Sequence, residues 1–206
     1  MKLLRNASFA AITALFCSSA FAQISASGQI ISGTTFGTDH AFQFFNTSSN
    51  NQYITSLVWD LTPIGGFFDT TNTSPGTSSS PLRQSNQSDK VGAMFPNNSQ
   101  QNGKSKLTIN FAPNSFAAGE KFIFGVDTDY FSCLDCDGIN GNGFVGATVK
   151  AIFSNGDARF GTYVLSQKAG FGSEVNIMAP VPEPETYALM GMGLIGLFAA
   201  SRRKLK

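Results

Sequence analysis

Short alternating runs of apolar and polar residues dominate the central part of this 206-residue chain. In the segment 106–111, Leu107, Ile109 and Phe111 alternate with polar side chains, so one face of an extended backbone is apolar. Period-two patterning that is bounded by Gly, Asn, Asp and Pro is typical of strands half-buried in a sheet. The pattern predicts nine strands, at 29–36, 40–45, 53–61, 91–95, 106–111, 121–127, 143–153, 158–165 and 174–178.

Two connections between these strands have clear signatures. Asn155-Gly156-Asp157 separates two runs, and Asn-Gly supplies the positive φ of a tight turn, so residues 143–165 are predicted to form an antiparallel hairpin. Residues 112–119 are predicted to form a turn or short loop with Phe116 beneath it. Residues 69–103 differ, because they are rich in Ser, Thr, Asn and Gln and contain three prolines. This composition favours a mobile loop region.

The number and shortness of the strands determine the predicted fold class. No helical periodicity occurs between the terminal segments, and the chain between them is long enough for one domain with a sizeable core. Many short strands in a chain of this size predict an all-β protein, a β-sandwich of jelly-roll type.

The N-terminal segment has the three parts of a secretory signal peptide. Lys2 and Arg5 precede an apolar stretch at 7–16, and Ala20-Phe21-Ala22 provides small residues around a cleavage point. Residues 1–22 are therefore predicted to be removed on export, which leaves a body of residues 23–180 ahead of the C-terminal segment.

The C-terminal segment 181–206 also has three parts. Val181-Pro182-Glu183-Pro184 is a stiff acidic hinge, because proline fixes φ and pushes the preceding residue towards extended backbone. An uncharged apolar run follows, predicted as a transmembrane helix over 186–201, which is short for a bilayer core of about 30 Å. A basic end follows that helix and favours the cytoplasmic side; it contains Arg202, Arg203 and Lys204.

This order of hinge, helix and basic end resembles the C-terminal sorting signal of PEP-CTERM proteins of Gram-negative bacteria. The resemblance covers the C-terminal tail only. It implies export, recognition by an exosortase, which is a membrane-bound transpeptidase-like enzyme, and delivery from an inner-membrane intermediate to the cell surface or an exopolysaccharide matrix. The alternatives are an ordinary tail anchor and a buried core helix, although core helices are rarely bounded by such flanks.

The body is acidic, although the formal net charge of the whole chain is close to zero. Six of the chain's 14 lysines and arginines but only two of its 13 acidic residues lie in the terminal segments, so the formal charge of +1 becomes −3 for residues 23–180. Nothing in the body forms the basic patch that binding to nucleic acid requires.

The body has little that resembles a catalytic set. Its one histidine, His40, begins a strand pattern and has no nucleophile elbow to accompany it, so a solvent-facing histidine is expected there. Trp59 could provide a platform for stacking a sugar, but an aromatic residue within an apolar strand is more often part of the core. We therefore expect no enzymatic activity.

One cluster of acidic residues follows the predicted strand at 121–127. Four carboxylates and several glycines and asparagines in one loop suit a hard cation with oxygen ligands, such as Ca²⁺. The spacing is not that of an EF-hand, because glycines occupy both positions at which its final glutamate would lie. A calcium site and a solvated acidic loop both remain open. The candidate ligands are Asp127, Asp129, Asp135 and Asp137.

The same segment contains Cys133 and Cys136, which are the only cysteines left after removal of the signal peptide. Disulfides persist outside the cytoplasm, so an exported chain is predicted to join them. The preferred functional hypothesis is thus an exported, non-enzymatic protein of the surface or matrix. The alternatives are a calcium-assisted carbohydrate-binding module that could bind exopolysaccharide and, with less support, a secreted hydrolase.

Overall fold

The computed structural model describes residues 24–49, 51–76, 79–134, 138–178 and 190–195. Strands account for most of the regular structure of these residues, and residues 190–195 are helical. The strands are β1 (Ser25–Ile31), β2 (Phe42–Asn46), β3 (Ile54–Asp60), β4 (Gly66–Asp69), β5 (Arg83–Gln84), β6 (Ala93–Met94), β7 (Lys106–Phe111), β8 (Lys121–Gly125), β9 (Asp127–Tyr130), β10 (Thr148–Phe153), β11 (Ala158–Thr162), β12 (Val164–Leu165) and β13 (Phe171–Met178). The short helix α1 (Asn98–Gln101) and two 3-10 helices, Thr62–Ile64 and Gly141–Phe144, lie between them.

Two antiparallel sheets face each other across one core. The first has the order β12-β13-β1-β2-β8-β5 and the second the order β11-β10-β3-β7-β6, while β4 and β9 form a separate two-stranded sheet. Both large sheets contribute to the same cluster of buried apolar side chains. The all-β prediction is confirmed, and the alternation read from the sequence explains it, because successive residues of a strand point to opposite faces.

Aromatic side chains fill the centre of this core. Phe124 of β8 stacks on Phe42 of β2 and on Phe122, with ring centroids 4.9 Å and 5.0 Å apart. Trp59, from the opposite sheet, meets Phe124 edge-on at 5.1 Å. Such offset and edge-on pairs each contribute about 0.5–1.5 kcal/mol beyond the apolar area that they bury.

The order of the strands differs from the predicted jelly roll. Hairpins keep β1 beside β2 in one sheet and β10 beside β11 in the other. Of the longer strands, β1, β2 and β8 lie together and face β3, β10 and β11. Strand β7 joins the second sheet beside β3, and β13 adds to the first sheet beside β1.

The two predicted connections are present. Residues 148–162 form the β10–β11 hairpin, and Gly156 at its turn has a φ of +87°. Phe116 is completely buried under the loop that follows β7. The predicted boundaries were wrong at residues 143–147, which form the 3-10 helix and a turn before β10 begins, and at the first strand, which begins earlier than predicted.

Residues 69–103, which the sequence predicts to be a mobile loop region, contain defined elements in the part of the chain that the structure describes. They include β5, β6 and α1. Asn102 connects this region internally, because its side-chain oxygen accepts hydrogen bonds from the backbone N–H groups of Thr70 and Thr71. Its side-chain nitrogen donates to the carbonyls of Thr73 and Ser74. These bonds fix the path of the chain after β4.

The terminal predictions fall mostly on residues outside those described. The signal peptide 1–22, the motif at Val181, Pro182, Glu183 and Pro184, and the basic residues Arg202, Arg203 and Lys204 all lie there. Of the predicted transmembrane helix 186–201, the described part is the helical segment 190–195, with Met190, Met192, Leu194 and Ile195 exposed. Within the residues described, no helix has the length and apolar character needed to cross a membrane.

Candidate functional site

The two-stranded sheet of β4 and β9 brings three aspartates together. In its antiparallel register, Asp69 lies directly opposite Asp127, and Phe67 lies opposite Asp129. Because side chains two residues apart in a strand share a face, Asp127 and Asp129 point to the same side, and Asp69 joins them from across the ladder. One oxygen from each of the three carboxyl groups lies within 4.8 Å of the others.

All three side chains are removed from solvent. Asp69 and Asp127 are 0% exposed and Asp129 is 1% exposed. Among the residues that the structure describes, neither carboxyl oxygen of Asp69 accepts a hydrogen bond of normal geometry, and the same holds for Oδ2 of Asp127. The nearby backbone N–H of Thr71 and the carboxyl group of Asp129 only oppose the rise in the pKa of Asp69. Oδ1 of Asp127 accepts a 2.8 Å hydrogen bond from the backbone N–H of Thr128. Across the described residues, no lysine, arginine or histidine forms an ion pair with Asp69 or Asp127.

This environment disfavours the charged forms of the carboxyl groups. Burial, together with the neighbouring carboxylates of Asp129 and Asp69, raises the pKa of Asp127 to about 8. Burial likewise raises the pKa of Asp69 above its ordinary value. Buried acids with no countercharge are costly to ionise, whereas a bound cation would favour the ionised form.

Two glycines from different segments cover the acidic cluster. A Cβ on Gly76 would collide with the carboxyl group of Asp69, and a Cβ on Gly138 would lie 2.8 Å from Oδ1 of Asp127. Gly138 has a φ of +78°, which also favours glycine. The backbone of the segment after β4 and that of the segment after β9 therefore lie directly against the carboxyl groups.

Neighbouring backbone bonds hold both segments in place. The backbone N–H of Asp127 donates to the carbonyl of Ser80, and that of Ile139 donates to the carbonyl of Thr128. The hydroxyl groups of Thr35 and Thr128 lie 2.8 Å apart. Three parts of the chain thus converge on β9: residues 33–37, the described residues 70–76 and 79–80, and the segment that contains Gly138 and Ile139.

The sequence analysis predicted two of these three aspartates. Asp127 and Asp129 do lie together, but in strand β9 rather than in a loop, while Asp135 and Asp137 lie outside the described residues. Asp69 was missed, because it is distant in the sequence and belongs to a strand that was not predicted. The signal that could have found it is Phe67-Phe68-Asp69, where an acidic residue directly follows two large apolar ones.

The other candidate residues have simpler roles. His40 is at the surface, as expected, and its Nδ1 lies 2.9 Å from Oδ1 of Asp39. Trp59 is only 1% exposed, so it belongs to the core and cannot stack on a sugar. Cys133 follows β9 closely, whereas Cys136 lies outside the described residues, so their pairing stays a prediction.

Comparisons with known proteins identify the tail. Residues 180–204 match the family model of the PEP-CTERM protein-sorting motif. No curated protein and no solved structure matches the chain significantly. The match includes the hinge, the apolar run and the basic residues up to Lys204, which are the parts that the sequence analysis singled out. The chain therefore carries at its C-terminus the PEP-CTERM sorting motif, the recognition signal of exosortases.

Proposed function

We propose that this protein is exported, is sorted by an exosortase through its C-terminal motif, and is delivered to the cell surface or the extracellular matrix as a non-enzymatic β-sandwich. The observation that carries the proposal is the match of residues 180–204 to the PEP-CTERM protein-sorting motif. The N-terminal pattern at 1–22 is consistent with it, because a signal peptide would start the export that sorting completes.

Each part of the tail has its own role in this proposal. The helix over 186–201 holds the chain transiently in the inner membrane, and Arg202, Arg203 and Lys204 keep its end on the cytoplasmic side. Val181, Pro182, Glu183 and Pro184 then stand outside the membrane, at the start of the helix, where an exosortase reads them. Proline keeps this segment extended and separate from the helix.

The experiment replaces Pro182, Glu183 and Pro184 by alanine in the full-length chain, expressed in a host that has an exosortase. We expect the variant to accumulate in the inner membrane with its tail intact, because recognition is lost while the apolar run and the basic end remain. Cell fractionation with a tail-specific antibody measures both properties. The matched control is Thr186→Ala, which changes the tail but leaves the motif and the basic end. Delivery of the triple variant to the surface at the wild-type level would contradict the proposal.

The role of the body, residues 23–180, is to bind partners after the protein has been delivered. Its partners are proposed to be matrix components such as exopolysaccharide, with no role for nucleic acid, because the body is acidic overall. The burial of Trp59 removes the aromatic residue that the sequence offered as a sugar platform. This weakens the alternative of a carbohydrate-binding module, and the calcium that such a module would use is considered separately below.

A further inference from the structure

We propose that Asp69, Asp127 and Asp129 form a calcium-binding site that connects β4, β9 and the two segments covering them. The inference concerns the body and does not depend on how the tail is sorted. It differs from the loop site expected from the sequence, because Asp69 comes from strand β4 and the other two ligands come from strand β9.

The first argument is the burial of carboxyl groups that have no partners. Both oxygens of Asp69 and Oδ2 of Asp127 are inaccessible, and no described residue donates a hydrogen bond of normal geometry to them. Native folds rarely leave buried polar atoms without a hydrogen-bond partner. Burying a charged atom without a partner costs several kcal/mol. Acidic residues that merely cluster at a surface would be hydrated. The carboxyl groups of Asp69, Asp127 and Asp129 are instead buried and close together, at a separation that one cation can bridge.

The second argument is the cover over the cluster. Gly76 and Gly138 come from separate parts of the chain, and in each case the missing side chain is what allows the backbone to approach a carboxyl group. The two segments exclude water from the carboxyl groups, and an ionised carboxylate without water needs a positive charge nearby. A cation bound between the carboxylates would supply that charge and would stabilise the packing of both segments over β4 and β9.

The chemistry of the ligands favours calcium over other metals. Every side chain in the cluster offers oxygen, and zinc prefers nitrogen and sulfur ligands. Three carboxylates supply between three and six oxygens, and Ca²⁺ accepts six to eight in irregular geometry, so carbonyls or water can complete the set. Mg²⁺ requires a nearly ideal octahedron and gives up its water reluctantly. Two strands with fixed spacing suit the more tolerant ion.

The expected affinity fits an exported protein. Extracellular calcium modules typically bind with dissociation constants of about 10⁻⁴–10⁻³ M. A site in this range would fill where calcium is millimolar, after export, and the bound ion would then stabilise the closed arrangement of the three segments. Its role is structural, because the ion would be enclosed by the protein and would not face a substrate.

The test is a pair of measurements on the purified full-length protein, with CaCl₂ or with a chelator. Isothermal titration should detect one site per chain. The melting temperature should rise by about 5–10 °C between chelator and a calcium concentration one hundred times the dissociation constant. The same concentration of MgCl₂ should raise it by less than half as much. No heat of binding together with an unchanged melting temperature would overturn the proposal and leave a buried cluster held neutral by protons.

Isosteric variants locate the site. Asp69→Asn and Asp127→Asn should each lower calcium affinity at least tenfold, while their melting temperatures in chelator should equal or exceed that of the wild type, because each replaces a buried acid that must otherwise be protonated or ionised without a countercharge by a neutral amide. The melting temperature in chelator distinguishes a variant that has lost a calcium ligand from one that no longer folds. Asp157→Asn, in the β10–β11 turn, is the matched control and should keep wild-type affinity. If Asp69→Asn bound calcium as tightly as the wild type, whereas a variant with both Asp135 and Asp137 changed to Asn did not, the proposed site would be wrong and the acidic loop would hold the ion instead.

Discussion

Nε1 of Trp59 donates a 3.0 Å hydrogen bond to the hydroxyl oxygen of Tyr163, and both side chains are buried. Trp59 lies on β3 in the second sheet. Tyr163 is the single residue between β11 of that sheet and β12 of the first. Its backbone is also fixed, since its N–H donates to the carbonyl of Ala147 and its carbonyl accepts from Gly146. The bond therefore holds the chain where it crosses from one sheet to the other.

Replacing Tyr163 by Phe is expected to destabilise the protein by about 1–3 kcal/mol, because the buried indole N–H of Trp59 loses its acceptor and gains no other. Guanidinium denaturation followed by the fluorescence of Trp59, the chain's one tryptophan, measures this directly. The control is Tyr53→Phe, which removes a hydroxyl from a half-buried residue just before β3. Equal free energies of unfolding for the two variants would contradict the role given to the bond.

The same hydroxyl predicts a dependence on alkaline pH. Burial raises the pKa of Tyr163 above its ordinary value, so the folded state keeps this proton more tightly than the unfolded state does. The stability that results is fully present below the unfolded pKa of about 10 and is lost as the pH rises above it. The gap in free energy of unfolding between the wild type and Tyr163→Phe should therefore narrow by about 1 kcal/mol from pH 10 to pH 11, because the unfolded tyrosine is already half ionised at pH 10. Denaturation curves at pH 8, 10 and 11 check this; a constant gap would argue that Tyr163 is not buried.

The glycine that covers Asp69 gives a third prediction. Gly76→Ala should destabilise the protein by about 1–3 kcal/mol even in chelator, because its methyl group would collide with the carboxyl group of Asp69. Gly33→Ala is the matched control, since a Cβ there meets no atom within 4 Å. Thermal melts in chelator compare the stabilities of the two variants. A Gly76→Ala variant as stable as Gly33→Ala would mean that the segment after β4 does not lie against Asp69.

The fourth prediction concerns Cys133 and Cys136, which we expect to be joined in the exported protein. Intact mass spectrometry of protein from the medium should show no alkylation before reduction and two alkyl groups after it. Because the ring is small, the bond should stabilise the protein by less than the roughly 3 kcal/mol given by a 15-residue loop. The double variant Cys133→Ser with Cys136→Ser should therefore remain folded. Two alkyl groups added without reduction would show that the pairing is wrong.

Local rules were sufficient for much of the fold. The alternation in Lys106–Phe111 predicted β7 with its observed bounds, and Asn155-Gly156 predicted the β10–β11 hairpin. Both depend on nearest neighbours along the chain, either the two-residue repeat of a strand or the positive φ that glycine tolerates. Strand β4 escaped prediction because all four of its residues are buried, so it shows no alternation.

The acidic site shows where local rules end. Asp127 and Asp129 could be grouped because they are neighbours in sequence, and their composition indicated a cation. The position of Asp69 opposite Asp127 depends on the pairing of β4 with β9. The burial of the cluster depends on the distant segments that contain Gly76 and Gly138. The two large apolar residues before Asp69 could indicate that it is buried, but nothing in the local sequence indicates that it pairs with Asp127.

By itself, the sequence determined the all-β class and the sorting motif at the C-terminus, because a strand repeat and a short linear signal are both written in consecutive residues. The tertiary structure alone decided the order of the strands, the third aspartate and the burial of the acidic cluster. These depend on which distant segments pair and what covers them, and that choice is made by the packing of the whole core rather than by any one stretch of the chain.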